Sequence, residues 1–117
     1  MANTYEAERK SAKADIEADG CAGHILNRST LVKSSCSALI LSFTFLERLG
    51  GSVLEGDGKF MVPSLGIPNI DPELHDFVID KPDIRYAASV GIYQIVNPNP
   101  FMPGGVPIYY EMHVRRR

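Results

Sequence analysis

The sequence predicts a mainly β fold, a small barrel or sandwich of about six strands behind one N-terminal helix. Three observations carry this. The hydrophobic period changes from helical to alternating after Gly20. The C-terminal stretch Ile108 to Arg115 alternates cleanly, with Ile108, Tyr110, Met112 and Val114 on one face and Tyr109, Glu111, His113 and Arg115 on the other. Turn-forming Gly and Pro clusters recur at intervals suited to short strands.

The helix is expected over residues 3–20. Asn3 stands at the cap position with Glu6 three residues on, an Asn variant of the capping box. Residues 4–19 contain no Gly or Pro and are rich in Ala, Glu, Lys and Arg, which are strong helix formers. Gly20 offers a left-handed stop. The apolar stripe of Tyr5, Ala12 and Ile16 is thin, so this helix lies lightly on the barrel or packs on a neighbouring subunit.

The barrel is expected over 21–117. His24 to Thr30 reads as a strand and Ser34-Ser35 as a turn. Leu39, Leu41, Phe43 and Phe45 alternate with Ala38, Ile40, Ser42 and Thr44, a second strand that Gly50-Gly51 ends. Residues 52–55 and 59–62 flank Gly56-Asp57-Gly58, the signature of a hairpin. The loop 63–72 carries too many breakers for regular structure. Phe77 to Asp80 and Ser89 to Val96 are further strands, separated by Pro82. Asn97-Pro98-Asn99-Pro100 and Pro103-Gly104-Gly105 form a rigid turn region before the last strand.

Composition narrows the chemistry. With 117 residues the chain suits one domain. The formal net charge of −2 argues against a surface devoted wholly to nucleic acid. No apolar run reaches the ~20 residues of a membrane helix, and the N-terminus has no apolar signal core, so Cys21 and Cys36 read as reduced, small apolar residues. His24, His75 and His113 are far apart in sequence, without metal-ligand spacing, and Glu111 with His113 reads as a surface pair. Asp57 between two glycines lacks the Lys-Ser/Thr and following helix of a phosphate loop. Cys36, between Ser35 and Ser37, has no evident base. No catalytic, cofactor or metal site is expected, and the chain is not expected to be an enzyme.

The order of features carries a resemblance. A helix with Tyr5, Ala12, Ile16 and Gly20 is followed by Leu26-Asn27-Arg28-Ser29-Thr30. Then come Leu54-Glu55-Gly56-Asp57-Gly58-Lys59-Phe60 and Val62-Pro63-Ser64-Leu65-Gly66-Ile67. The chain closes with Gly91-Ile92-Tyr93-Gln94-Ile95-Val96, Pro103-Gly104-Gly105-Val106 and Tyr110-Glu111-Met112-His113-Val114-Arg115. This series resembles the head-completion, or stopper, neck proteins of long-tailed bacteriophages, whose C-terminal half follows G-x-Y-x-I-V, P-x-G and Y-E-x-x-x-R. Lys81-Pro82-Asp83-Ile84-Arg85-Tyr86 departs from the compact Asp-initiated turn of that group.

The resemblance implies a structural virion protein made in the bacterial host cytoplasm. It would form a homo-oligomeric ring, hexameric or dodecameric, that continues the DNA channel between the portal or adaptor protein and the tail. The ring would retain packaged double-stranded DNA without sequence specificity and offer a surface to a tail terminator or tail tube protein, with no membrane contact. Two alternatives stand beside it: a tail-terminator or tail-side joining protein, and a host small β-barrel binding module. Candidate contacts with neighbouring subunits or the tail are Leu65, Ile67 and Ile70 on the proline-bearing loop and Arg115, Arg116 and Arg117 at the C-terminus, against the alternative of a frayed, solvated end.

Overall fold

A computed structural model describes residues 5–41, 43–54, 56–81 and 91–117. Helix α1 (Glu6–Asp19) leads into strands β1 (Cys21–Asn27) and β2 (Lys33–Leu41), a short helix α2 (Phe45–Leu49), and strands β3 (Gly58–Pro63), β4 (His75–Ile79), β5 (Gly91–Asn97), β6 (Pro100–Phe101) and β7 (Tyr109–Arg116). All described pairings are antiparallel, in the order β3-β2-β1-β4-β5-β7, and β3 pairs with β7 to close the ring of strands. The fold is therefore a closed six-stranded barrel with an N-terminal helix, and not an open sandwich. The two-residue β6 adds to β7 outside that closure.

Alternate residues fill the interior. Ile25, Ala38, Phe60, Val62, Phe77, Ile79, Ile95, Met112 and Val114 are buried in one cluster. Phe60 packs edge-on against both Phe77 and Tyr93, with ring centroids 5.4 and 5.1 Å apart, a favoured aromatic geometry. Gly23 lies beside this cluster. A Cβ there would stand 2.4 Å from the Val78 carbonyl oxygen and 2.8 Å from the Phe77 ring, so the ring occupies the space a side chain would take.

Helix α1 buries Ile16 completely, with Tyr5 and Ala12 half-buried, and it packs along β2 and β3. Glu6 and Glu8 complement the positive end of its dipole. The expected Asn3 cap lies outside the described residues. Gly20 is not a left-handed stop: its φ of −84° and ψ of 168° are extended. A Cβ at this position would lie 2.5 Å from the Ile16 oxygen and 2.8 Å from the Ala38 oxygen. The glycine is needed for close approach of the helix end to β2.

Several other boundaries differ from expectation. Ser34 and Ser35 are in strand β2, not in a turn, because their backbone pairs with Ile25 and His24. The turn lies earlier, where the Asn27 side chain accepts N–H bonds from Ser29 and Thr30. The apolar strand expected to reach Phe45 stops at Leu41, and Ser42 lies outside the described residues. Thr44 and Glu47 then form a reciprocal capping box that starts α2. Among the described residues the expected hairpin around Asp57 does not form. Residues 52–54 are irregular, residue 55 lies outside the described residues, and β3 pairs with β2 and β7 instead. Pro82 to Tyr86, and the expected strand start at Ser89, also lie outside the described residues.

Candidate functional site

The C-terminal arginines are bound to the barrel and do not form a frayed end. Arg115 grips Asp57 with two bonds, Nε to Oδ1 and Nη2 to Oδ2, each 2.9 Å. His113 Nε2 lies 2.6 Å from Asp57 Oδ2, and the Leu54 N–H donates to the same oxygen at 2.8 Å. The Asp57 side chain is 1% exposed. The Arg115 guanidinium holds its carboxyl well below the usual carboxylate range, against the opposing effect of burial, with further help from His113 and the Leu54 N–H. Arg115 is in turn pushed above its ordinary value, chiefly by its hydrogen bond to Asp57. His113 was expected beside Glu111 at the surface. It is buried because Asp57 approaches from the loop before β3 and Phe43 meets its ring edge-on at 5.0 Å.

Arg117 makes a second fork. Its Nε and Nη2 reach the two Asp76 oxygens at 3.0 Å each, and Arg28 Nη1 reaches Oδ1 at 2.7 Å. Arg28 also donates to the Pro72 and Glu73 carbonyls. Asp76 is buried under these two cations, and Arg117 is pushed above its ordinary value by its hydrogen bond to Asp76. Arg116, between the two forks, lies 5.5 Å from the centre of the Tyr93 ring and donates to its hydroxyl at 3.2 Å. Arg115, Arg116 and Arg117 thus tie the C-terminal end of the chain to Asp57, to β5 and to β4.

The loop candidates divide. Ile67 and Ile70 are half-buried against the core cluster, so they cap the barrel from outside. Leu65 is half-buried beside Lys13 and Glu17 of α1. The larger exposed apolar groups lie elsewhere. Leu31 and Val32 sit at the β1–β2 turn, and Leu46, Leu49 and Leu54 on and after α2. These two patches flank opposite ends of β2, whose nine residues span about 30 Å. Leu31 has a φ of +62°, a conformation that leucine rarely adopts. Sequence reasoning placed Leu46 in a strand. The Thr44-x-x-Glu47 capping box was the signal for a helix there.

The remaining reactive groups have local partners. His24 Nδ1 lies 2.8 Å from Asp80, and His75 Nδ1 accepts the Asp71 N–H at 3.0 Å. Among the described residues no three potential metal ligands converge. Neither Cys21 nor Cys36 is in a disulfide. Burial, with a smaller contribution from Asp80, pushes the Cys36 thiol up to about 12, which suppresses the nucleophilic thiolate at neutral pH. No helix among the described residues is long and apolar enough to cross a membrane.

The chain matches no protein-family model, no curated protein and no solved structure.

Proposed function

We propose that this protein is a structural subunit of the neck of a long-tailed phage. In this reading it forms a ring that continues the DNA channel between portal or adaptor and tail, holds the packaged DNA, and presents a surface for tail attachment. The observation that carries the proposal is the ordered run of motifs from Tyr5 to Arg115, which resembles the head-completion proteins. Two features of the fold support it. The Gly56-Asp57-Gly58 segment and the Tyr110 to Arg115 segment meet across β3 and β7 through the Asp57–Arg115 fork, so the motifs form one structural unit. Exposed apolar patches at opposite ends of β2 are distinct surfaces of the kind a head-to-tail ring contact uses.

The test is to locate the protein in virions and assembly intermediates by gold labelling and reconstruction. A neck subunit is found between portal and tail and stays with DNA-filled, tail-less heads. Recovery with free tails alone points to a tail terminator, and absence from both fractions removes the reading. Arg116→Ala probes tail attachment without breaking the two buried forks. Deleting all three arginines would confound attachment with folding, because Asp57 would lose Arg115 and Asp76 would lose Arg117.

A further inference from the structure

Strand β2 has nine residues, but β3 pairs with just three of them, Leu39 to Leu41. On the other side, β1 pairs with β2 from Lys33 to Ala38. The register shows which main-chain groups are left over. The Asn27 N–H donates to the Val32 carbonyl at 3.0 Å, which sets the phase of the β1–β2 ladder. By alternation, Ile25/Ser34, Gly23/Cys36 and Cys21/Ala38 are the hydrogen-bonded pairs. Leu26/Lys33, His24/Ser35 and Ala22/Ser37 are the non-hydrogen-bonded pairs, whose N–H and C=O groups point away from each other. The Ala22 carbonyl agrees with this phase, because it faces β4 and accepts the Asp80 N–H at 3.1 Å.

Lys33, Ser35 and Ser37 therefore aim their N–H and C=O groups at the space where β3 would continue. Extending the β2–β3 register brings Ser37 opposite Pro63, which has no N–H to give. The ladder stops there, and among the described residues no strand lies beside Lys33 to Ser37 on the side away from β1. Among the described residues, an otherwise closed barrel keeps an open edge here. The edge carries small side chains at Ser34, Ser35 and Ser37 and faces Lys13, Glu17 and Leu65 across a cleft.

Clefts border this edge. One of about 350 Å³ is lined by Lys13, Glu17, Ser35, Ser37, Leu65 and Asp80. Another, of about 250 Å³, is lined by Ile25, Val32, Ser34, Pro68 and His75. The first carries two half-exposed carboxylates, Glu17 and Asp80, against Lys13, with His24 on the Asp80 side. That balance suits a cationic side chain. The second sets Ile25, Val32 and Pro68 among Asn27, Thr30, Ser34 and His75, and its exposed surface is mainly carbon. Strand addition uses this arrangement: main-chain bonds supply affinity, and alternate side chains enter different pockets.

We propose that the Lys33–Ser37 edge of β2 is a strand-addition site for an extended segment of another protein, one that alternates basic and apolar side chains. The inference goes beyond the neck reading and does not depend on it. The probe is a capped octapeptide alternating Lys and Val, titrated into the full chain while amide resonances are followed. The expected result is saturable binding with shifts concentrated at Lys33, Ser35 and Ser37. A Glu/Val octapeptide binds at least about tenfold more weakly, and a Lys/Val peptide N-methylated at alternate residues does not bind. Ser35→Pro removes an N–H that β1 does not use. It abolishes binding and leaves the β1-facing amides of Ser34 and Cys36 protected. Shifts elsewhere, equal binding of the N-methylated peptide, or no binding would overturn the proposal. So would protection of Lys33, Ser35 and Ser37 that grows with protein concentration in the absence of peptide, since the occupant would then be a second copy.

Discussion

Strand β3 has two sides with different outcomes. Toward β7 it pairs along all six of its residues, and the seam is reinforced by the Asp57–His113–Arg115 cluster. Toward β2 it pairs at three residues and then opens. The same strand is sealed on one side and open on the other because of where two residues point. Pro63 directs its missing N–H toward β2, so its pairing with Tyr109 of β7 loses nothing. Asp57 turns its carboxylate under β7, where Arg115, His113 and a main-chain N–H converge. Closure of this barrel is thus uneven, with ionic reinforcement at one seam and an unpaired edge next to the other.

The largest effects of substitution are expected at the sealed seam. Asp57→Ala removes the carboxylate that Arg115 and His113 face and is expected to destabilise the fold by about 3 kcal/mol, the upper end for lost hydrogen bonds to a charged group. Urea unfolding measures this. Next, Gly23→Ala forces a methyl group against the Val78 carbonyl and the Phe77 ring and is expected to cost about 2 kcal/mol, by the same assay.

A pH series sharpens the comparison without mutation. Asp57 is held below its ordinary value, so the unfolded chain takes up this proton first. The stabilisation it gives is complete above the ordinary carboxylate range and declines as pH falls below about 4. Asp57→Asn should flatten this part of the stability–pH profile, and an unchanged acid limb would remove Asp57 from the account.

The open side predicts small effects. Pro63→Val restores an N–H opposite Ser37 and should add a slowly exchanging amide at position 63, with a stability change under about 1 kcal/mol. Ser35→Ala, at an exposed side chain, should change stability by less than about 0.5 kcal/mol. A large loss at Ser35 would mean that the edge is already occupied.

How much of this was legible depends on the range of each interaction. Strand β7 was visible because Ile108, Tyr110, Met112 and Val114 report a local period of two, and all four are buried. Helix α1 was visible from its composition. The beginning of β2 was hidden because Ser34, Ser35 and Ser37 have low strand preference, and their conformation is set by β1 across the turn. Helix α2 was missed because the alternation through Phe43 and Phe45 outweighed the Thr44–Glu47 box, although that box was the better local signal. The role of Asp57 was out of reach: glycines on either side read as a turn, and its partners lie more than fifty residues away. The arginine tail showed its charge in the sequence, but which carboxylates it meets follows from the barrel register alone.

Residue-resolved hydrogen exchange on the free protein tests the uneven closure most directly. Slow exchange is expected at Phe60, Val62, Tyr110 and Met112 across the β3–β7 seam, and at Ser34 and Cys36, which face β1. Fast exchange is expected at Lys33, Ser35 and Ser37. Protection of these three at the level of their neighbours, or rapid exchange along the β3–β7 seam, would contradict uneven closure.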